Sequence, residues 1–171
     1  MKKTLLFLLI SLIFITSESH SQNKILTLNE LQKTKMYNSL EDAVKEPDKV
    51  YRINLSNKGM TEFPVELTAF SNLQSLNLSY NKITEIPKEI GNLFKLQYLN
   101  LEGTEITILP PETSQLKNLV SLDLDMISTL NSSIALNVIF DILNLKELSM
   151  NSVFIMSVPS QIKKLKNQDL I

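Results

Sequence analysis

The chain has 171 residues and contains no cysteine, no tryptophan, a single histidine (His20) and only 3 glycines. Each scarcity excludes a chemistry. Zinc sites are built from clusters of Cys and His, thiol catalysis takes a Cys, and the Ser-His-Asp arrangement needs an imidazole base. Charge of neither sign is in excess: 17 basic residues face 18 acidic ones, for a formal net charge of -1. That balance leaves no electrostatic footprint for nucleic acid. What the chain has in quantity is aliphatic: 30 Leu and 17 Ile. A chain of this length and composition can bury one continuous core.

The first residues read as a routing label. Lys2 and Lys3 precede an apolar run from Leu5 to Ile15 interrupted by Ser11, and a polar tail of small residues ends at Ser21. This is the order of a secretory signal peptide, and the run is short of the ~20 residues a membrane-spanning helix needs. Cleavage after Ser21 is therefore expected over an uncleaved anchor, and the absence of Cys rules out a lipid-modified N-terminus. The mature chain of 150 residues then has no His at all and no membrane span. An exported domain with no possible disulfide must stand by burial alone, which points to the bacterial envelope or the extracellular space.

The remainder is organised by a period. Segments begin at Val50, Leu73, Leu96, Leu119 and Leu145, separated by 23, 23, 23 and 26 residues, and the last runs to Asn167. The clearest copy, residues 73–95, places Leu73, Leu76, Leu78, Asn81, Ile83, Ile86, Pro87, Ile90 and Leu93 at the repeating positions. Leu-x-x-Leu-x-Leu ends in alternation of period two, the mark of a short strand with one face inward. The three- and four-residue spacing of Ile83, Ile86 and Ile90 describes a turning descent on the far side. One such coil cannot cover its own apolar edge, so the copies must stack.

This pattern resembles the leucine-rich repeat of the 23-residue bacterial type. The resemblance implies an α/β leucine-rich repeat solenoid, a short horseshoe with parallel β-strands on its concave face and an N-terminal helical cap. It also implies a non-catalytic role in protein–protein interaction. The expected organisation is a signal peptide (1–21), a lead-in and helical cap (22–49), five repeats (50–167) and a short tail (168–171).

The copies differ in quality. The ninth position, where the repeat wants Asn to tie down turn backbone, holds Lys58, Asn81, Thr104, Ile127 and Val153. The fourth copy carries three extra residues, expected between Met126 and Ile134, with Ser132 and Ser133 heading a helix of two to three turns. Residues 22–36 are expected to form a loosely ordered lead-in. Ser39 to Asp42 match a capping box, and Leu40, Ala43 and Val44 are expected to sit on the first coil until Pro47 stops the helix. At the other end Leu170 and Ile171 are expected to open a sixth strand with no amphipathic cap after it; either Gln161, Lys163, Lys164 and Lys166 solvate that end, or the edge is completed by a partner, as in weak self-association or a structural module assembling through it.

Outward-facing strand positions define the candidate wall. Its columns run Arg52, Ser75, Tyr98, Ser121, Glu147; Asn54, Asn77, Asn100, Asp123, Ser149; and Ser56, Ser79, Glu102, Asp125, Asn151. The predicted partner-binding residues are Arg52, Asn54, Asn77, Tyr98, Asn100, Glu102, Asp123, Asp125 and Glu147. Tyr98 offers large contact area with few rotors to immobilise, and the acidic group selects a cationic ligand. A strip of roughly 24 by 13 Å falls well short of the ~800 Å² per partner of a stable protein interface. A peptide, a glycan or a weakly held protein therefore fits it better. No cofactor or metal is expected. Asp123, Asp125 and Glu102 also keep a remote glycoside-hydrolase reading open, against which stand the lack of a cleft and of an aromatic wall to raise one carboxyl.

Overall fold

The computed structural model describes residues 24–151 and Val153. The expected leader, the latter part of the fifth repeat and the edge at Leu170 and Ile171 lie outside the described residues. Among the described residues six strands form one parallel sheet in chain order: β1 (Met36–Tyr37), β2 (Arg52–Asn54), β3 (Ser75–Asn77), β4 (Tyr98–Asn100), β5 (Ser121–Asp123) and β6 (Glu147–Ser149). Parallel neighbours need a long return connection, and here each return is one coil of a right-repeating stack.

Register follows the period without slip. Arg52, Ser75, Tyr98, Ser121 and Glu147 pair in one row, Ile53, Leu76, Leu99, Leu122 and Leu148 in the next, and Asn54, Asn77, Asn100, Asp123 and Ser149 in the third. A one-residue slip would turn the buried Leu row to water. The middle row faces the core, joined there by Val50, Leu73, Leu96, Leu119 and Leu145, all buried.

On the far side, coils one to three descend through 3-10 turns, Val65–Ala69, Lys88–Asn92 and Pro111–Gln115, each entered from a proline (Pro64, Pro87, Pro110). The fourth descends through α-helix Ser132–Ile139. Five residues of 3-10 helix rise ~10 Å and eight of α-helix ~12 Å. Three more residues thus cover nearly the same distance, which is how the 26-residue copy stays in step with its 23-residue neighbours. Its cap is Asn131, whose Oδ1 accepts the Ile134 N–H at 3.1 Å, rather than Ser132 as expected; Ser132 is buried.

The descents stack Leu67, Ile90, Thr113 and Ile139 into one buried column. Thr113 breaks its aliphatic character, and its hydroxyl is buried with no hydrogen-bond partner. Replacing Thr113 by the isosteric Val is expected to raise stability by about 1 kcal/mol, since it removes an unpaired polar group without changing shape. A denaturation midpoint that fails to rise would contradict this.

The N-terminal cap departs from expectation in two ways. The lead-in is ordered: Thr27 and Glu30 form a capping box on helix α1 (Leu28–Lys33), and Leu31 is buried. Thr27-x-x-Glu30 is the sequence signature of that box, set in a stretch too polar to show periodicity. Lys24 and then Thr27, bonded to the Glu30 carboxylate, hold its pKa down to about 2. The second helix, α2 (Leu40–Ala43), starts at Ser39 as expected, with the Asp42 N–H donating to Ser39 Oγ at 3.2 Å. Ala43 is buried and Leu40 packs on the core, but Val44 points outward and is exposed.

The lead-in is held by buried glutamines. The Gln74 side-chain amide accepts from the Leu26 N–H at 2.8 Å and donates to the Lys24 carbonyl at 3.1 Å, as a peptide unit of a neighbouring strand would. Gln97 donates to Gln74 Oε1 and to the Leu26 carbonyl, both at 2.9 Å. A second set of amides sits just before the strands. Asn72, Asn118 and Asn144 each donate to a carbonyl of the preceding coil, those of Asp48, Phe94 and Lys117. Lys95 fills that position in the second coil, and its ammonium donates to Asn72 Oδ1 at 2.7 Å.

Candidate functional site

The concave wall is made by the outward ends of each three-residue strand. Between them lies a shallow groove of about 260 Å³, bordered by Met36, Asn54, Ser75, Tyr98, Asn100 and Asp123. A second, of about 250 Å³, continues over Ser121, Asp123, Glu147 and Ser149, with Lys146 at its margin. Of the predicted residues, Asn54, Asn77, Asn100 and Asp123 come together in one row, with Tyr98 beside them on β4. Glu147 lies on the last strand and is exposed. Arg52 stands at the opposite end, and its Nη1 donates to the Gln32 carbonyl at 3.0 Å, which ties it to the lead-in.

The Asn row has a local task. Asn54 Oδ1 accepts the Ser56 N–H, Asn77 Oδ1 that of Ser79, Asn100 Oδ1 that of Glu102 and Asp123 Oδ1 that of Asp125, at 2.9 to 3.0 Å. These are turns in which a short side chain takes the place of a backbone carbonyl, and they end β2 to β5 in the same way. The row therefore shapes the wall, while its amide nitrogens and second carboxylate oxygen remain for other partners. One is used in the wall: Asn100 Nδ2 donates to Asp123 Oδ2 at 3.2 Å.

The carboxylates are not equivalent. Burial raises the Asp123 pKa, and the like charges of Asp125 and Glu102 add to the rise. At Asp125 burial also pushes upward but is outweighed. Ser149 Oγ, the Asn151 N–H and the Asn151 amide all donate to its two oxygens, at 2.7, 2.6 and 3.1 Å, and its pKa falls. Burial, helped by Glu147, raises the Tyr98 phenol. Asp123 is thus more desolvated than the open strip suggested, but its neighbour Asp125 is committed to the fifth coil. Asp123 and Asp125 are therefore not the two free, facing carboxylates that glycoside hydrolysis needs.

Beyond β2 to β5 the alternation ends and the backbone turns left-handed. Asn57, Tyr80, Gly103 and Met126, spaced by 23 residues, have φ of 55°, 55°, 62° and 58°. Each donates its N–H to the next coil, to Ser79, Glu102, Asp125 and Asn151 in turn. Asn and Gly take this conformation at little cost, whereas Tyr80 and Met126 are unusual there. Both are exposed. The Tyr80 ring rests on Gly103, where an added Cβ would come within 2.8 Å of Cδ1, and its hydroxyl donates to the Glu102 carboxylate. Tyr80 was not among the predicted site residues. The signal was the repeat position itself, which Asn57 and Gly103 mark as left-handed.

Comparison with known proteins agrees with this geometry. The leucine-rich repeat region family matches residues 65–169. A leucine-rich repeat protein of Leptospira interrogans is 32% identical, with a TM-score of 0.70; the match covers 81% of this chain and 34% of that one. The chain thus spans about a third of that protein's length. A plant peptide hormone receptor, solved in complex with RGF2, shares the fold with a TM-score of 0.58 and 22% identity over 80% of this chain and 22% of the receptor. No curated protein matches in sequence. Members of this group are typically binding modules rather than enzymes. With the family matching more than half of its length, the chain belongs to the leucine-rich repeat proteins.

Proposed function

We propose that this protein is an exported, non-catalytic recognition module that takes a peptide-like stretch of a partner protein, or a glycan, on its concave wall. Tyr98 serves as the anchor, and Asp123 with Glu102 and Glu147 meets cationic groups. The observation that carries this reading is the groove over β2 to β5, whose borders include Asn54, Asn77, Tyr98, Asn100 and Asp123. Its shallow form suits an extended segment better than a compact small molecule. The family's usual role in protein and peptide binding supports the class of partner, and the order of residues 1–21 supports export to the bacterial envelope or beyond.

The test is capture from envelope or host extracts by the mature chain, compared with Tyr98→Ala and Asp123→Lys. Loss of a partner held by the wild-type chain is expected for both, by at least about tenfold for the charge reversal, since like charge across an interface costs several kcal/mol. Equal capture by the wild type and both variants would overturn the wall as the binding surface.

A further inference from the structure

We infer that Tyr80 and Glu102 form a receptor for a guanidinium group, so that an arginine side chain is what the partner presents at the rim of the wall. As a statement about the partner this rests on the concave-face reading above; as a binding site it stands on its own geometry. Three observations carry it. Tyr80 is half-exposed yet pinned, with the ring backed by Gly103 and the hydroxyl bonded to Glu102. The ring therefore needs no ordering when a cation arrives.

Second, the carboxylate at the edge of the ring has no cationic partner: among the described residues no Lys or Arg forms an ion pair with Glu102, Asp123 or Asp125. Among the described residues the five ion pairs all join residues between Lys24 and Lys49. The hydrogen bond to Glu102 raises the Tyr80 phenol, and burial with the nearby charges of Glu102, Asp123 and Asp125 adds to the rise. Third, the period offers cheaper residues at this place. Asn57 and Gly103 fill the same left-handed position without strain, and Tyr80 occupies it with an exposed ring whose burial contributes little to the core.

An aromatic surface beside a carboxylate matches the planar guanidinium in both of its habits, stacking on a ring and donating two parallel hydrogen bonds. A lysine ammonium matches only the charge. Gly103 is part of the device, since any side chain there would displace the ring.

The probe is N-acetyl-arginine amide, titrated into the mature chain while backbone amide shifts of residues 79–81 and 101–104 are followed by NMR, with the lysine and citrulline amides in parallel. Saturable millimolar binding at Tyr80 is expected for arginine, at least about threefold weaker for lysine, and absent for the neutral citrulline. Glu102→Gln and Tyr80→Asn, the second of which relieves the left-handed strain, should each weaken arginine binding about threefold or more. Equal binding of arginine and lysine, or arginine binding unchanged in Tyr80→Asn, would overturn the site. Arginine binding that persists when capture proves insensitive to Tyr98 and Asp123 would remove the wall reading and leave this site standing.

Discussion

Replacing Asn81 by Ala is expected to cost about 3 to 5 kcal/mol of stability, because one buried amide satisfies four backbone groups of two coils. Its nitrogen donates to the Leu55 and Leu78 carbonyls at 2.9 and 2.8 Å, and its oxygen accepts the Lys58 and Met60 N–H groups, each at 3.0 Å. Alanine would leave a cavity and unpaired backbone on both sides of the joint. In a stack where each coil touches only its neighbours, the loss is local before it is global. Hydrogen exchange should therefore rise first at residues 53–60, ahead of the third and fourth coils. The contrast is Thr104 at the same position of the next coil, which makes one bond, from Oγ1 to the Leu101 carbonyl at 2.7 Å. Thr104→Ala is expected to cost about 1 kcal/mol. Comparable effects of the two substitutions, by denaturant titration, would contradict the four-bond account. At Ile127 and Val153 the chain fills this place with buried hydrocarbon instead.

Gln74→Ala is expected to cost about 2 to 3 kcal/mol and to free the start of the lead-in. Gln74 is buried, accepts from Leu26 and Gln97, and donates to the Lys24 carbonyl. Losing it leaves the Gln97 amide with its bond to the Leu26 carbonyl alone, a buried donor half satisfied. Exchange protection of the Leu26 amide should fall to that of an open segment, while the amides of β4 and β5 keep theirs. Continued protection of Leu26 would mean that Leu31 and the Arg52 bond to Gln32, rather than the glutamines, hold the lead-in.

The solenoid and the rows of its wall were legible in the sequence because both rest on local alternation repeated at a fixed interval. Once Leu73, Leu76 and Leu78 point inward, Ser75 and Asn77 have no other direction, and the interval carries that assignment to Tyr98, Asn100, Ser121 and Asp123. The lead-in was not legible. Leu26 meets Gln97 across 71 residues through a side chain that imitates backbone, and no periodicity encodes such a contact. Tyr80 was missed because alternation stops with the strand, and the left-handed turn after it sends the eighth position outward. The Asn row was read as available for binding, whereas its oxygens close the turns at Ser56, Ser79 and Glu102. That role follows from chemistry common to the first four coils, and a ligand would have to use what is left of those side chains.

The central claim is that a partner lies along the concave wall. The direct measurement is amide hydrogen exchange of the mature chain, free and saturated with a captured partner. Slowed exchange across residues 75–81, 98–104 and 121–126 is the predicted result, with the descending turns at 65–69, 88–92 and 111–115 unchanged. Protection confined to those turns, with the wall exchanging as in the free chain, would contradict it.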